Sequence, residues 1–387
     1  MKNCIKCGLP ETYESIEFDH KGECNICRQR EYRDEKIDWQ ERKQVLNALI
    51  EQYRGKYDYD CIIPFSGGKD STFTLYYLIK EYQIKPLVMQ FNHGFMRENL
   101  LKNNERTFKQ LGVDVISFTP NWKVVKRLML EALTRKGDFC WHCHTGIFSY
   151  PMHIAIKFNV PLIFWGEPSS EYTAYYDYRN NQVEEVDEER FNRFVNLGIT
   201  AEDMSGMITH DFKLDPRDLQ PYTYPKLRDL KKIGYRSVCL GSYIPWDAQR
   251  QSKIIMQELG WQGDQVEGMP WEKYSYEKIE CYMQGVRDYI KYLKRGYSRV
   301  SQMTALDIRK GKMAKEEADK LIAEYEGKKP PSLQLFLEYL NISEEEFNTI
   351  VEKTVVPPHV PNFNKPLAKQ TWDFNKWYRE IKISDEG

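Results

Sequence analysis

Short apolar runs alternate with stretches of helical spacing through the middle of the chain. Residues 61–65 read Cys-Ile-Ile-Pro-Phe and predict a first strand, followed by a glycine turn and a helix reaching Leu78 and Ile79. Residues 86–91 predict a second strand and 104–111 a helix; residues 113–118 predict a third strand and 122–134 a helix. Two further strands are predicted at 160–165 and 237–241. Alternation of this kind predicts an α/β fold, a parallel sheet with helices on both faces. Ligands then gather at the carboxyl ends of the strands.

The flanks read differently. Residues 1–30 are rich in cysteine and poor in aliphatic residues, so they cannot build a core alone. Over residues 34–53 the apolar positions Ile37, Val45, Leu46, Leu49, Ile50 and Tyr53 predict a connecting helix that ends at Gly55. Residues 172–222 interrupt the strand–helix pattern with a polar insert. Its Glu184, Glu185, Asp187, Glu188 and Glu189 read as a solvated face rather than a metal site. After Pro270 helices are predicted over 274–293, 315–325 and 343–351, the last with a capping box, Ser343 and Glu346. Pro357, Pro358, Pro361 and Pro366 then predict an extended arm. The expected organisation is a cysteine-rich unit at 1–33, a linker helix at 34–56, the α/β domain at 57–265 and a helical C-terminal region at 266–387.

Charge removes several classes of function. Lys+Arg is 56 and Asp+Glu is 57 in 387 residues, a net charge of −1, which argues against a surface built to grip nucleic acid. With 41% hydrophobic and 29% charged residues the chain is too apolar for disorder. No apolar run approaches the ~18 residues of a membrane span. The opening Met1-Lys2-Asn3-Cys4-Ile5-Lys6-Cys7 lacks the apolar core of a secretory signal, so a cytoplasmic protein is expected.

Ser66-Gly67-Gly68-Lys69-Asp70-Ser71 follows the first strand and opens a helix. Two glycines let the backbone approach an anion, successive N–H groups and the helix N-terminus supply positive field, and Lys69 adds a point charge. A Walker loop would need glycine where Ile63 stands and Ser or Thr where Asp70 stands, which disfavours a kinase or GTPase.

Nine cysteines are present, six of them in three Cys-x-x-Cys pairs. Cys4-x-x-Cys7 and Cys24-x-x-Cys27 have the spacing of a structural zinc ribbon, in which four thiolates give zinc its tetrahedral shell. Cys140 and Cys143, in Cys-Trp-His-Cys-His, are open to three readings: a redox dithiol, a buried structural pair, or a metal or iron–sulfur site with Cys239 as third ligand.

The phosphate loop resembles that of the N-type ATP pyrophosphatases (the PP-loop superfamily, with an adenine nucleotide alpha-hydrolase-like fold), which include GMP synthetase, asparagine synthetase and tRNA-modifying enzymes. The resemblance implies that Ser66 to Ser71 hold the pyrophosphate of ATP, with Lys69 and Asp70 catalytic and Asp70 helping to hold magnesium. It places Phe91, Asn92 and His93 near adenine and ribose. Gly166, Glu167 and Glu171 are either a further metal or substrate contact or plain loop residues. The sulfur-transferring members of the superfamily share the layout of Cys140, Cys143 and Cys239.

Residues 65–71, 139–146, Phe164-Trp165-Gly166-Glu167 and 295–313, with the zinc-ribbon start, resemble the N-acetyl sugar amidotransferases of lipopolysaccharide O-antigen and flagellin-glycan biosynthesis. That resemblance covers nearly the whole chain. It implies ATP-dependent conversion of an acetamido group on a nucleotide-linked sugar into an acetamidino group. No glutaminase nucleophile stands in the sequence, so ammonia is expected from a separate glutaminase with a cyclase-like partner. The basic stretch containing Arg295, Arg299 and Arg309 is either a seat for substrate phosphate or carboxylate or a solvated helix face. The alternative function is a tRNA thiolase with an iron–sulfur cluster at the central cysteines, against which the charge balance stands.

Overall fold

A computed structural model describes residues 1–167, 183, 185, 187–208 and 214–369. Among these, five strands form one parallel sheet: β1 Cys61–Pro64, β2 Pro86–Phe91, β3 Asp114–Phe118, β4 Leu162–Trp165 and β5 Arg236–Cys239, in the order β3-β2-β1-β4-β5. β1 pairs with β2 in the register Ile63↔Val88, and β4 pairs with β5 in the register Trp165↔Cys239. The chain runs outward from β1 through β2 to β3, then returns to lay β4 on the other side of β1. The reversal opens a crevice at the carboxyl end of β1, where the phosphate loop emerges.

Side chains alternate across the sheet with the period of two that strands impose. Ile63, Val88, Phe164 and Val238 pack with α2 (Trp39–Tyr53), α3 (Lys69–Tyr82) and the helix Ala248–Leu259. Ile62, Leu87, Ile163 and Cys239 pack on the other face with Val124 and Leu128 of α5 (Trp122–Lys136) and Trp141 and Met152 of α6 (Trp141–Phe158). β3, at the sheet's edge, is the least buried strand.

The predicted linker helix is two helices, α1 (Asn25–Lys36) and α2, broken at Ile37 and Asp38. Asp38 caps α2 by accepting from the N–H groups of Gln40 and Glu41, so the sequence stops one helix and starts the next there. The segment read as a polar insert is not uniformly polar. Phe191, Ile199, Met204, Leu219 and Tyr222 are buried, several beneath α6. Its acidic run keeps the solvated character expected where it is described: Glu185 is exposed and pairs with Arg236 at 2.8 Å.

The long helix expected over 274–293 starts only at Gln284, after a short turn, Trp271–Tyr274, and an irregular segment. Helices Gln284–Arg295, Ser332–Leu340 and Glu344–Glu352 share a third core with α5. The capping box forms as predicted, Ser343 Oγ accepting from Glu346 N at 3.1 Å. The cysteine-rich N-terminus packs on Tyr297 and Ala305, at and just before the helix Arg299–Arg309, with the Tyr13 and Tyr297 rings 4.7 Å apart. No helix among the described residues is long and apolar enough to cross a membrane.

Candidate active site

β1 ends at Pro64, and the next residues turn sharply because Gly67 adopts φ +85°, a left-handed conformation that glycine tolerates. Ser71, one turn into α3, ties the loop: its Oγ accepts from Gly67 N at 3.1 Å and Ser66 N at 3.2 Å. Trp261 Nε1 donates to the Gly67 carbonyl at 3.0 Å, and Trp246 Nε1 donates to Asp70 Oδ1 at 3.3 Å. Both indoles come from the chain after β5.

Lys69 is 3% exposed, and its Nζ lies 2.8 Å from Asp70 Oδ2 and 2.8 Å from Glu277 Oε2. Burial opposes the ammonium charge, but Asp70, Glu277 and Glu167 overcome it and raise the Lys69 pKa well above its ordinary value. Glu280 reaches over the loop from the same segment as Glu277. A Cβ added at Gly68 would lie 1.8 Å from its Oε1. That segment is pinned to the loop after β2, since Tyr282 N donates to Phe95 O at 2.8 Å and Arg97 Nε to Cys281 O at 3.2 Å.

A cavity of about 210 Å³ opens between the loop and β4. Ser66, Asp70, Ser71, Glu167, Lys278 and Glu280 give it polar walls, and Phe91, Phe148 and Trp165 an aromatic side. The Phe148 and Trp165 rings stack at 4.5 Å and 16°. Glu167 is pushed up to about 7 by burial and by neighbouring Asp70, against Lys69 and Lys278. Gly166 lets β4 come close to α3: a Cβ there would stand 2.9 Å from the Asp70 carbonyl. A larger open hollow of about 560 Å³ lies at the amino end of β5 among Glu185, Lys231 and Arg236, and no loop residue lines it.

Several sequence-derived candidates therefore meet at one cavity: Ser66, Asp70, Ser71, Phe91, His93, Gly166 and Glu167 line it, with Lys69 behind Asp70. His93 is buried and held down to about 4 by that burial, so it stays neutral, and its Nδ1 accepts from Phe95 N at 3.3 Å. Asn92 turns away to brace its own loop, accepting from Gly94 N at 3.0 Å. Glu171 lies outside the described residues.

Cys4, Cys7, Cys24 and Cys27 are all buried, and their sulfurs lie within 4.8 Å of one another. The Cys4–Cys27 and Cys7–Cys24 pairs stand 4.0 and 3.8 Å apart. Tetrahedral coordination at a zinc–sulfur distance of about 2.3 Å puts the sulfurs about 3.8 Å apart, so the residues fit such an ion. Cys140, Cys143 and Cys239 form no such group among the described residues. Cys239 faces the β4–β5 side of the cavity, whereas Cys140 belongs to the third core and Cys281 packs against it. Burial holds Cys140 and Cys143 as thiols, with Cys281 in their electrostatic surroundings.

The three arginines offered as a substrate seat are not on the cavity. Arg295 donates to the Thr12 carbonyl at 2.6 Å and so ties down the N-terminal unit. Arg309 lies beside the four cysteines, where Cys7 and Cys27 outweigh burial and raise its pKa. Arg299 is 7% exposed and faces Glu277 and Asp288. Arg295 ends the helix Gln284–Arg295 while Arg299 and Arg309 lie on the next one, and each faces groups of the same chain. Sequence reading missed Glu277, Lys278, Glu280, Trp246 and Trp261, which lie some two hundred residues from the loop and carry no local motif.

Residues 270–382 match the family described as LPS biosynthesis protein WbpG-like, C-terminal domain. An uncharacterized protein of Methanocaldococcus jannaschii is 26% identical over 102 residues, which span 26% of this chain and 36% of that protein's length. The structure of the U34-tRNA thiolase NcsA from Methanococcus maripaludis, with its 4Fe–4S cluster, aligns over 94% of this chain and 99% of its own. Its identity is 13% and the TM-score 0.32, too loose a likeness to carry chemistry. Glu277 and Glu280, which face the phosphate loop, lie inside the matched residues 270–382. The chain therefore joins a five-stranded parallel sheet to a region similar to the C-terminal domain of the WbpG-like lipopolysaccharide biosynthesis proteins.

Proposed function

We propose that this chain is the synthetase component of a cytoplasmic N-acetyl sugar amidotransferase. The observation that carries the reading is the shared cavity: the phosphate loop forms one wall, and residues of the lipopolysaccharide-type region form another. ATP would lie with its pyrophosphate on the N–H groups around Gly67 and Gly68 and its adenosine toward Phe91 and His93. The acetamido oxygen of a nucleotide-linked sugar attacks the α-phosphorus, and pyrophosphate leaves. Ammonia adds to the activated carbon, and AMP departs with the former acetamido oxygen. Lys69 opposes the charge that grows on the leaving pyrophosphate. Asp70, with Glu167 opposite, would hold magnesium, which neutralises the phosphates. Zinc at Cys4, Cys7, Cys24 and Cys27 would fasten the N-terminus to the helix Arg299–Arg309. Ammonia would come from a separate glutaminase with a cyclase-like partner.

The thiolase alternative asks Cys140, Cys143 and Cys239 to share one cluster, and their placement lends it no support. Purified protein with magnesium, ATP and ammonium, offered a panel of nucleotide-linked N-acetyl sugars, should release AMP and pyrophosphate only when the right sugar is present. AMP release on addition of unmodified tRNA and a sulfur donor, with none for any sugar, would overturn the assignment.

A further inference from the structure

The group that fixes Lys69 from outside the loop is Glu277. It comes from the irregular segment between Trp271–Tyr274 and the helix Gln284–Arg295, and it is 0% exposed. Its Oε2 lies 2.8 Å from Lys69 Nζ, and its Oε1 lies 3.7 Å from an Arg299 guanidinium nitrogen. A second Arg299 nitrogen stands 3.6 Å from Asp288 Oδ1. With Asp70 on the far side of Lys69 at 2.8 Å, five charges alternate in a row: Asp70, Lys69, Glu277, Arg299, Asp288.

Such a row is a poor source of stability, because desolvating each ion cancels much of the attraction it gains. Its effect is on geometry. An ammonium on a four-carbon stem has wide freedom, and two fixed carboxylates remove it. Glu277 cannot yield by taking up a proton. Burial works against its charge, yet Lys69, Lys278 and Arg299 hold its carboxyl down at about 2. The row also sets the charge that a ligand meets. Lys69 is neutralised from two sides, so an incoming polyphosphate must compete for it.

We propose that Glu277 is the positioning residue of the phosphate loop, holding the Lys69 ammonium in place and limiting how much of its charge a bound pyrophosphate receives. The proposal rests on the reading of the loop as a pyrophosphate seat. It makes the C-terminal region part of the nucleotide site, since among the described residues Glu277 and Asp70 are the two carboxylates in ion-pair contact with the loop lysine. Glu277→Gln keeps the side chain's shape and removes the competing charge, so it has a signed consequence: pyrophosphate should bind more tightly. A residue that only supported the fold would, when replaced, weaken binding or leave it unchanged.

The test is calorimetric titration of the full chain with magnesium pyrophosphate, across wild type, Glu277→Gln, Lys69→Ala and the double variant. Lys69→Ala should weaken binding. Glu277→Gln should tighten it by about twofold or more, the lower end of the coupling seen between contacting residues. In the Lys69→Ala background Glu277→Gln should change nothing, because the ammonium it competes for is gone. Glu277→Asp leaves Arg299 a charged partner and so protects the fold. It draws the carboxylate back from Lys69 and should move affinity in the same direction by less. Wild-type affinity in Lys69→Ala would sink the loop reading itself. Weakening by Lys69→Ala, with unchanged or weaker binding in Glu277→Gln, would overturn the proposal that Glu277 limits the lysine's charge and leave the loop reading standing. Persistence of the Glu277→Gln effect without Lys69 would overturn the same proposal. If Glu277→Gln does not fold, an unchanged affinity in Glu277→Asp is the result that rejects the proposal.

Discussion

Gly67→Ala measures how tightly the phosphate cradle is built. Gly67 has φ +85°, where an L side chain costs about 1–2 kcal/mol. A Cβ there would lie 2.1 Å from Asn104 Oδ1, on a side chain that is 3% exposed on α4 (Glu98–Leu111). Forcing a methyl into such packing adds about 1–3 kcal/mol. The sum is about 2–5 kcal/mol, a large part of a typical domain's stability. Gly112→Ala is the control: φ is +63°, and a Cβ there meets nothing within 4 Å, so only the backbone cost of about 1–2 kcal/mol applies. Urea unfolding of both variants, compared at common slope, isolates the steric part. Gly67→Ala should unfold at clearly lower urea and lose pyrophosphate binding. Equal midpoints, with binding retained, would mean that the loop has room to spare and is no cradle.

Three further outcomes follow from the same geometry. Lys69→Ala and Asp70→Asn should each abolish AMP formation in the assay described above while near-native circular dichroism is kept; wild-type rates in either would remove the loop from the chemistry. Cys4→Ser or Cys24→Ser should lose bound zinc and loosen the N-terminus from Tyr297 and Ala305, read as faster proteolysis of residues 1–30; freshly purified wild type without zinc would refute the ribbon. Glu267 is raised to about 7 by burial, against its bonds from Ser332. A raised carboxyl contributes stability that is fully present below its ordinary pKa near 4.5 and is lost as pH rises through about 7. Glu267→Gln should therefore gain in melting temperature relative to wild type between pH ~5 and ~8, and a gap independent of pH would reject the shift.

Much of the sheet was legible because its strands are short, apolar and separated by helices, so period and order alone located all five. The loop was legible because backbone chemistry is written locally: two glycines and a lysine between a strand and a helix. What escaped was anything whose partner is remote. Arg299 and Arg309 are charged in sequence, but only the fold reveals that carboxylates and thiols of the same chain face them. Residues 274–293 predict one helix because aromatic and aliphatic positions there recur at helical spacing. The segment before Gln284 is instead pinned by Phe95 and Arg97 and delivers Glu277 and Glu280 to the loop. The central Cys-x-x-Cys was ambiguous for the same reason, since spacing does not say which third sulfur, Cys239 or Cys281, comes near.

In the proposed reaction the acetamido oxygen attacks the α-phosphorus of ATP. A nucleotide-linked N-acetyl sugar carrying heavy oxygen in its acetamido group, turned over with ATP, magnesium and ammonium, tests it directly. Mass spectrometry of the products should find the heavy oxygen in the phosphate of AMP, in a one-to-one ratio with the amidine formed. Heavy oxygen in inorganic phosphate with ADP, or an amidine formed while AMP carries none, would contradict it.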